Sequence, residues 1–144
     1  MKSALYLLLA LTLSACSGEQ PPRDELSGLR GSWAVINYWA EWCTPCIKEI
    51  PELNQLAQQY PELAVVGVNF DGTEGDELAR QITQLGIAFP ILAEDPAARL
   101  GIPRPAVLPT TLILDPEGKL ANTLVGPQTL ESLAEAVGRN AHDE

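Results

Sequence analysis

The chain has 144 residues, 46% hydrophobic and 19% charged, which gives one globular domain enough length and apolar content for a core of its own. Nine Lys and Arg stand against nineteen Asp and Glu, a formal net charge of −10. A surface of that sign repels nucleic acid and anionic lipid headgroups, so neither is expected as a partner, while proteins remain open as partners.

The first residues read as an export signal: Lys2 supplies a positive start, Ala4 to Leu13 is apolar or hydroxylic throughout, and small residues follow at Ser14 and Ala15. That run is too short to span a bilayer. The sequence Leu13-Ser14-Ala15-Cys16 resembles the lipobox of bacterial lipoproteins, which implies cleavage before Cys16 and a lipid on its sulfur. Residues 1–15 are therefore expected to be a lipoprotein signal peptide and residues 16–27, polar and proline-containing, a tether reaching about 40 Å when extended. Residues 28–140 are expected to form the domain and residues 141–144 a frayed tail.

Within the domain, Trp33 to Trp39 is β-branched and aromatic, apolar on both faces and too short for a helix, as a central strand of a buried sheet would be. Thr44 to about Tyr60 switches to helical spacing, with Ile47, Ile50, Leu53, Leu56 and Ala57 on one face and Pro51 as an expected kink. Leu63 to Phe70 is a second buried strand, and Glu74 to Leu85 a second helix stopped by Gly86. A helix between the two strands makes them parallel. A short strand is expected at Pro90 to Ala93 and a helical turn near Pro96 to Leu100, followed by a proline-rich loop through Pro105. Thr110 to Leu114 and Leu120 to Val125 flank Asp115-Pro116-Glu117-Gly118, a hairpin signal. The last helix runs from Thr129 to about Arg139, with Leu130, Leu133, Ala134 and Val137 facing inward.

The chemistry is concentrated in Trp42-Cys43-Thr44-Pro45-Cys46. Two thiols separated by two residues close a loop too small to constrain an unfolded chain much, so the pair is chemical rather than a structural staple. Placed where a strand ends and a helix begins, Cys43 meets unpaired N–H groups and the positive end of the helix dipole, which favour the thiolate that attacks in disulfide exchange. Cys46, one turn later, is placed to resolve the mixed disulfide, and Pro45 fits a first helical turn. The competing reading is half a zinc site. Its remaining ligands would be Cys16, already claimed by lipid, and His142 on the tail, so neither metal nor cofactor is expected.

With these motifs in view, the segment from about Gly28 to Gly138 resembles a thioredoxin fold of the TlpA/ResA type, membrane-anchored oxidoreductases that work outside the bacterial cytoplasm. The resemblance rests on Asn37 to Cys46, on Glu49 and Pro51, on Gly67-Val68-Asn69, and on Leu108-Pro109-Thr110-Thr111-Leu112-Ile113-Leu114-Asp115 with Gly118 beyond. It implies an α/β fold with a central mixed sheet flanked by helices. It makes Pro109 a cis-proline beside the sulfurs, a point that Leu-Pro-Thr alone leaves level with an ordinary trans bond. It leaves the backbone of Leu108 free to accept an extended substrate. It makes Glu49 the proton acceptor for Cys46, although a glutamate in an early helical turn is also favoured by the dipole alone. Asn37 stands where ordinary thioredoxins carry a buried Asp. Trp42 either shields one side of the disulfide or is a core residue.

The expected activity is thiol–disulfide exchange, with reduction of disulfides in exported proteins in the lead. Neither Thr44 nor Pro45 is a cation that would strongly stabilise the thiolate. A dithiol oxidase, a partner that reduces a peroxidase, and a redox-inert peptide-binding assembly factor stay open. The resemblance implies re-reduction by a membrane thiol donor, or by a soluble shuttle if the lipid at Cys16 sits in the outer membrane. A residue other than Asp after the lipidated Cys, here Ser17, is associated with that location. A monomer on the periplasmic side of a bacterial membrane is expected.

Overall fold

A computed structural model describes residues 24–139. The proposed leader, Cys16, the first part of the tether, His142 and the tail lie outside them.

The strands are β1 (Ala34–Trp39), β2 (Ala64–Asn69), β3 (Thr110–Leu114) and β4 (Leu120–Val125), and the helices are α1 (Thr44–Gln59), α2 (Gly75–Leu85) and α3 (Leu130–Ala136). They form a mixed sheet in the order β2-β1-β3-β4. β1 and β2 run parallel, as the intervening helix requires, and β1–β3 and β3–β4 are antiparallel. The two central strands are buried along their whole length.

Because side chains alternate across a strand, β1 divides its residues between two cores. Val35 and Trp39 face α1 and α3, in a cluster with Ile50, Leu53, Leu56, Ile113, Leu133 and Val137 that also contains Cys43 and Cys46. Ala34, Ile36 and Tyr38 face the opposite cluster with Val66, Val68, Leu112 and Leu114. That second face is covered mainly by turns, loops and a short 3-10 helix at Ser27–Leu29, through Leu26, Leu29, Leu100 and Ile102.

Three elements depart from the sequence reading. Residues 24–27, counted with the tether on composition, belong to the folded domain: Asp24 pairs with Arg99 at 2.7 Å, and Glu25 accepts the Ala93 N–H at 2.9 Å. Leu26 packs into the second cluster, which explains why this polar stretch is held. Pro90 to Ala93 is not a full strand but a single parallel bridge between Ile91 and Gly67, bonded through the Pro90 carbonyl and the Leu92 N–H. Pro90 has no N–H to extend the ladder backwards. Ile47, expected to face inward, is 36% exposed, while the buried stripe of α1 is Cys46, Glu49, Ile50, Leu53 and Leu56. Pro51 lies inside one continuous helix. Gly86 ends α2 in the left-handed region, at φ 66°, where a side chain would be strained.

Candidate active site

Cys43 is the residue that caps the N-terminus of α1. Its backbone is still extended, and its sulfur accepts the Cys46 N–H at 3.2 Å. Pro45 occupies the first turn, where an N–H would have no helical partner. The two sulfurs are joined in a disulfide with Cα atoms 5.2 Å apart. Both cysteines are buried, with Cys43 4% and Cys46 1% exposed, so the first is the more accessible of the two.

One turn after Cys46 on the same helix, Glu49 is 1% exposed. One carboxylate oxygen accepts from the Asn37 side-chain amide at 3.1 Å, and the other accepts the Gln128 N–H at 3.1 Å. Burial pushes its pKa up to about 7, against the opposing pull of the hydrogen bonds from Gln128 and Asn37. Asn37 is itself fully buried and spends its second N–H on the Thr111 hydroxyl at 3.0 Å. Asn37 and Thr111 are direct partners across β1 and β3, on the same face as Val35 and Ile113, which is why both point toward α1.

The Leu108–Pro109 peptide bond is cis. Pro109 is buried, and its carbonyl accepts the Gly126 N–H at 2.9 Å. Among the described residues none hydrogen-bonds to the N–H or carbonyl of Leu108. Leu108 itself is half-buried against the cluster that holds the cysteines. Trp42 is not a core residue: it is 64% exposed, its indole N–H donates to Asp71 at 2.9 Å, and its ring meets Phe70 edge-on at 6.4 Å.

Several contributors carry no motif of their own. Arg104, in the proline-rich loop, stacks 4.0 Å over Phe70, donates to the Phe70 carbonyl and pairs with Asp95 at 2.6 Å, tying that loop to the end of β2 beside Trp42. Asp95 also accepts from the Tyr38 hydroxyl at 2.7 Å. Burial works against its charge, but the bonds from Tyr38, Ala97 and Arg104 outweigh it and lower its pKa. Gln128 bonds Glu49 through its backbone and Gly126 through its side chain, so no side-chain pattern marks it in advance. Among the described residues no cluster of three or more His, Cys, Asp or Glu is placed to hold a metal ion.

A mixed sheet of this order, with a Cys-x-x-Cys disulfide capping the helix after a central strand and a cis-proline opening the neighbouring strand, defines a thioredoxin-like protein. The chain belongs to the AhpC/TSA family, whose pattern it matches over residues 12–123. It is 34% identical over 110 residues to the thiol-disulfide oxidoreductase ResA of Bacillus thuringiensis, covering 76% of this chain and 64% of that protein. The match thus spans less than two thirds of that relative's length. The thioredoxin-like protein YneN of Bacillus subtilis is 32% identical over 127 residues, covering 85% of this chain and 71% of YneN. Among solved structures, a DsbF homologue from Corynebacterium diphtheriae superposes with a TM-score of 0.68 at 26% identity, covering 78% of this chain and 74% of that one.

Proposed function

We propose that the protein is a thiol–disulfide oxidoreductase that reduces disulfides of exported proteins, with Cys43 as nucleophile and Cys46 as resolving thiol. The observation that carries this reading is the Cys43 sulfur at the N-terminus of α1, accepting the Cys46 N–H. That environment favours a thiolate. The relatives' names, thiol-disulfide oxidoreductase, support the exchange chemistry.

In the reduced enzyme the Cys43 thiolate attacks one sulfur of the client disulfide. That S–S bond breaks, a mixed disulfide forms, and the departing client thiolate takes a proton from water. Cys46 then gives its proton to Glu49 and attacks the Cys43 sulfur, forming the intramolecular disulfide seen here and expelling the second client thiolate, which is protonated in turn. Two electrons pass from the enzyme dithiol to the client. A membrane thiol donor or a soluble shuttle restores the dithiol. Glu49 suits the proton step because an acid whose pKa is about 7 takes up and releases a proton near neutrality. The unpaired backbone of Leu108 beside cis Pro109 offers an edge on which an extended client segment could lie, and exposed Trp42 offers apolar surface next to Cys43.

The leader and Leu13-Ser14-Ala15-Cys16 support a lipid anchor at Cys16 and a location on the periplasmic side of a bacterial membrane, with residues 17–23 as the linking segment. Membrane fractionation of the wild type and Cys16→Ser tests this: the variant is expected to leave the membrane fraction.

The activity is tested by mixing the pre-reduced protein with a peptide disulfide and counting thiols. One client disulfide should disappear for each Cys43–Cys46 disulfide formed. Cys43→Ala should transfer nothing, and transfer undiminished by that change would overturn the assignment. A reduction potential close to that of strong periplasmic oxidants would reverse the direction to dithiol oxidation.

A further inference from the structure

The Asn37 amide hydrogen-bonds on one side only. Its two N–H groups are taken by Glu49 and Thr111, at 3.1 and 3.0 Å, while its carbonyl oxygen is buried with no hydrogen-bond partner among the described residues. A buried acceptor left bare is costly, and it is unexpected in a residue otherwise so well bonded.

We propose that Asn37 is a positioning residue whose amide turns over with the protonation of Glu49. When Glu49 is a carboxylate it accepts from the Asn37 NH2 group, as observed. When Glu49 takes up a proton from water, its O–H needs an acceptor, and the NH2 group cannot provide one. Rotation of the amide about its Cβ–Cγ bond exchanges the two ends. The carbonyl oxygen then accepts the Glu49 O–H, and it also accepts the Thr111 hydroxyl, which can donate as readily as accept. The rotation exchanges the two N–H bonds to Glu49 and Thr111 for two O–H bonds accepted by the carbonyl, and the NH2 group moves to the place the carbonyl leaves.

The surroundings isolate this exchange. Among the described residues, Glu49 hydrogen-bonds on β1 to the neutral Asn37, which in turn bonds Thr111 of β3, and in the segment before α3 to the Gln128 N–H. The next acid along the same helix, Glu52, accepts the Leu130 N–H at 2.8 Å. Cys43 and Cys46 are joined as a disulfide and do not titrate. An Asp at position 37 would add a second acid and cross-couple the two titrations. An Asn serves both protonation states of Glu49 without titrating itself.

This deepens the role given to Glu49, but its test does not pass through activity. In the oxidised protein, the side-chain NH2 resonances of Asn37 and the carboxyl carbon of Glu49 are followed by NMR as pH is raised. Both are expected to move along one curve with a midpoint near pH 7, and the Asn37 signals to stop moving in Glu49→Gln. Asn37 resonances that stay fixed through the Glu49 titration would overturn the proposal, as would a Glu49 that does not titrate in that range. Loss of disulfide reduction in Glu49→Gln bears on the proton step of the enzyme and leaves the amide rotation to be judged by the titration.

Discussion

Glu49 joins stability to pH at the scale of a single residue. Its pKa rises from an ordinary 4.5 to about 7 because the folded chain removes it from water. Between those values the native state keeps a proton that the unfolded chain has released. The contribution of this group to stability is therefore complete below about pH 4.5, declines as pH rises, and is lost above about pH 7. A shift of this size corresponds to about 3 kcal/mol. Urea unfolding of the oxidised protein at about pH 5 and about pH 8 should show this decline, and Glu49→Gln should flatten it by about 2 to 3 kcal/mol. Arg104 acts at the same scale. It is about half exposed, so Arg104→Ala should cost only about 1 kcal/mol in thermal or chemical unfolding, from the lost stack on Phe70 and the bonds to the Phe70 carbonyl and Asp95.

At the scale of elements, β2 depends on a missing side chain. A Cβ at Gly67 would lie 2.6 Å from Ile91 Cδ1, 2.9 Å from Trp39 Nε1 and 3.0 Å from Phe89 Cε2. The Ile91 tip can move, but the fully buried Trp39 ring has no room to retreat. Gly67→Ala should cost about 2 kcal/mol in chemical denaturation, read as a lower midpoint with an unchanged slope. α3 depends on its cap: Thr129 accepts the Ser132 N–H while the Ser132 hydroxyl accepts the Thr129 N–H. Thr129→Ala should destabilise by about 1 kcal/mol, and a loss confined to the amide-exchange protection of α3 would locate the effect. The limits of sequence reading lie at this scale too. Continuous apolar runs placed β1, β2 and β3 within a residue because buried strands and turn residues leave a direct signature. The run at Pro90 read as a strand because its composition was right, but Pro90 has no N–H with which to continue the ladder, and the stretch keeps a single bridge to Gly67. Ile47 fitted helical spacing, yet the stripe turned to the sheet runs through Glu49, which apolar patterning passes over.

The molecule as a whole places its chemistry at one junction, where β1 ends and α1 begins. Cys43 and Cys46 were legible there because the chemistry needs that spacing at that place. Asn37 and Thr111 were legible in outline: strand alternation sets them on the face of Val35 and Ile113, but only the pairing of β1 with β3 makes them neighbours. Gln128 and Arg104 were not legible, since one contributes a backbone N–H and the other sits in a loop whose path the sequence does not dictate. The assignment of attack to Cys43 and resolution to Cys46 is tested most directly by trapping. Cells expressing Cys46→Ala, quenched with acid and analysed on non-reducing gels, should accumulate mixed disulfides with exported proteins through Cys43, and mass spectrometry should name them. Cys43→Ala should accumulate none. Equal adducts in both variants, or adducts only in Cys43→Ala, would contradict the account.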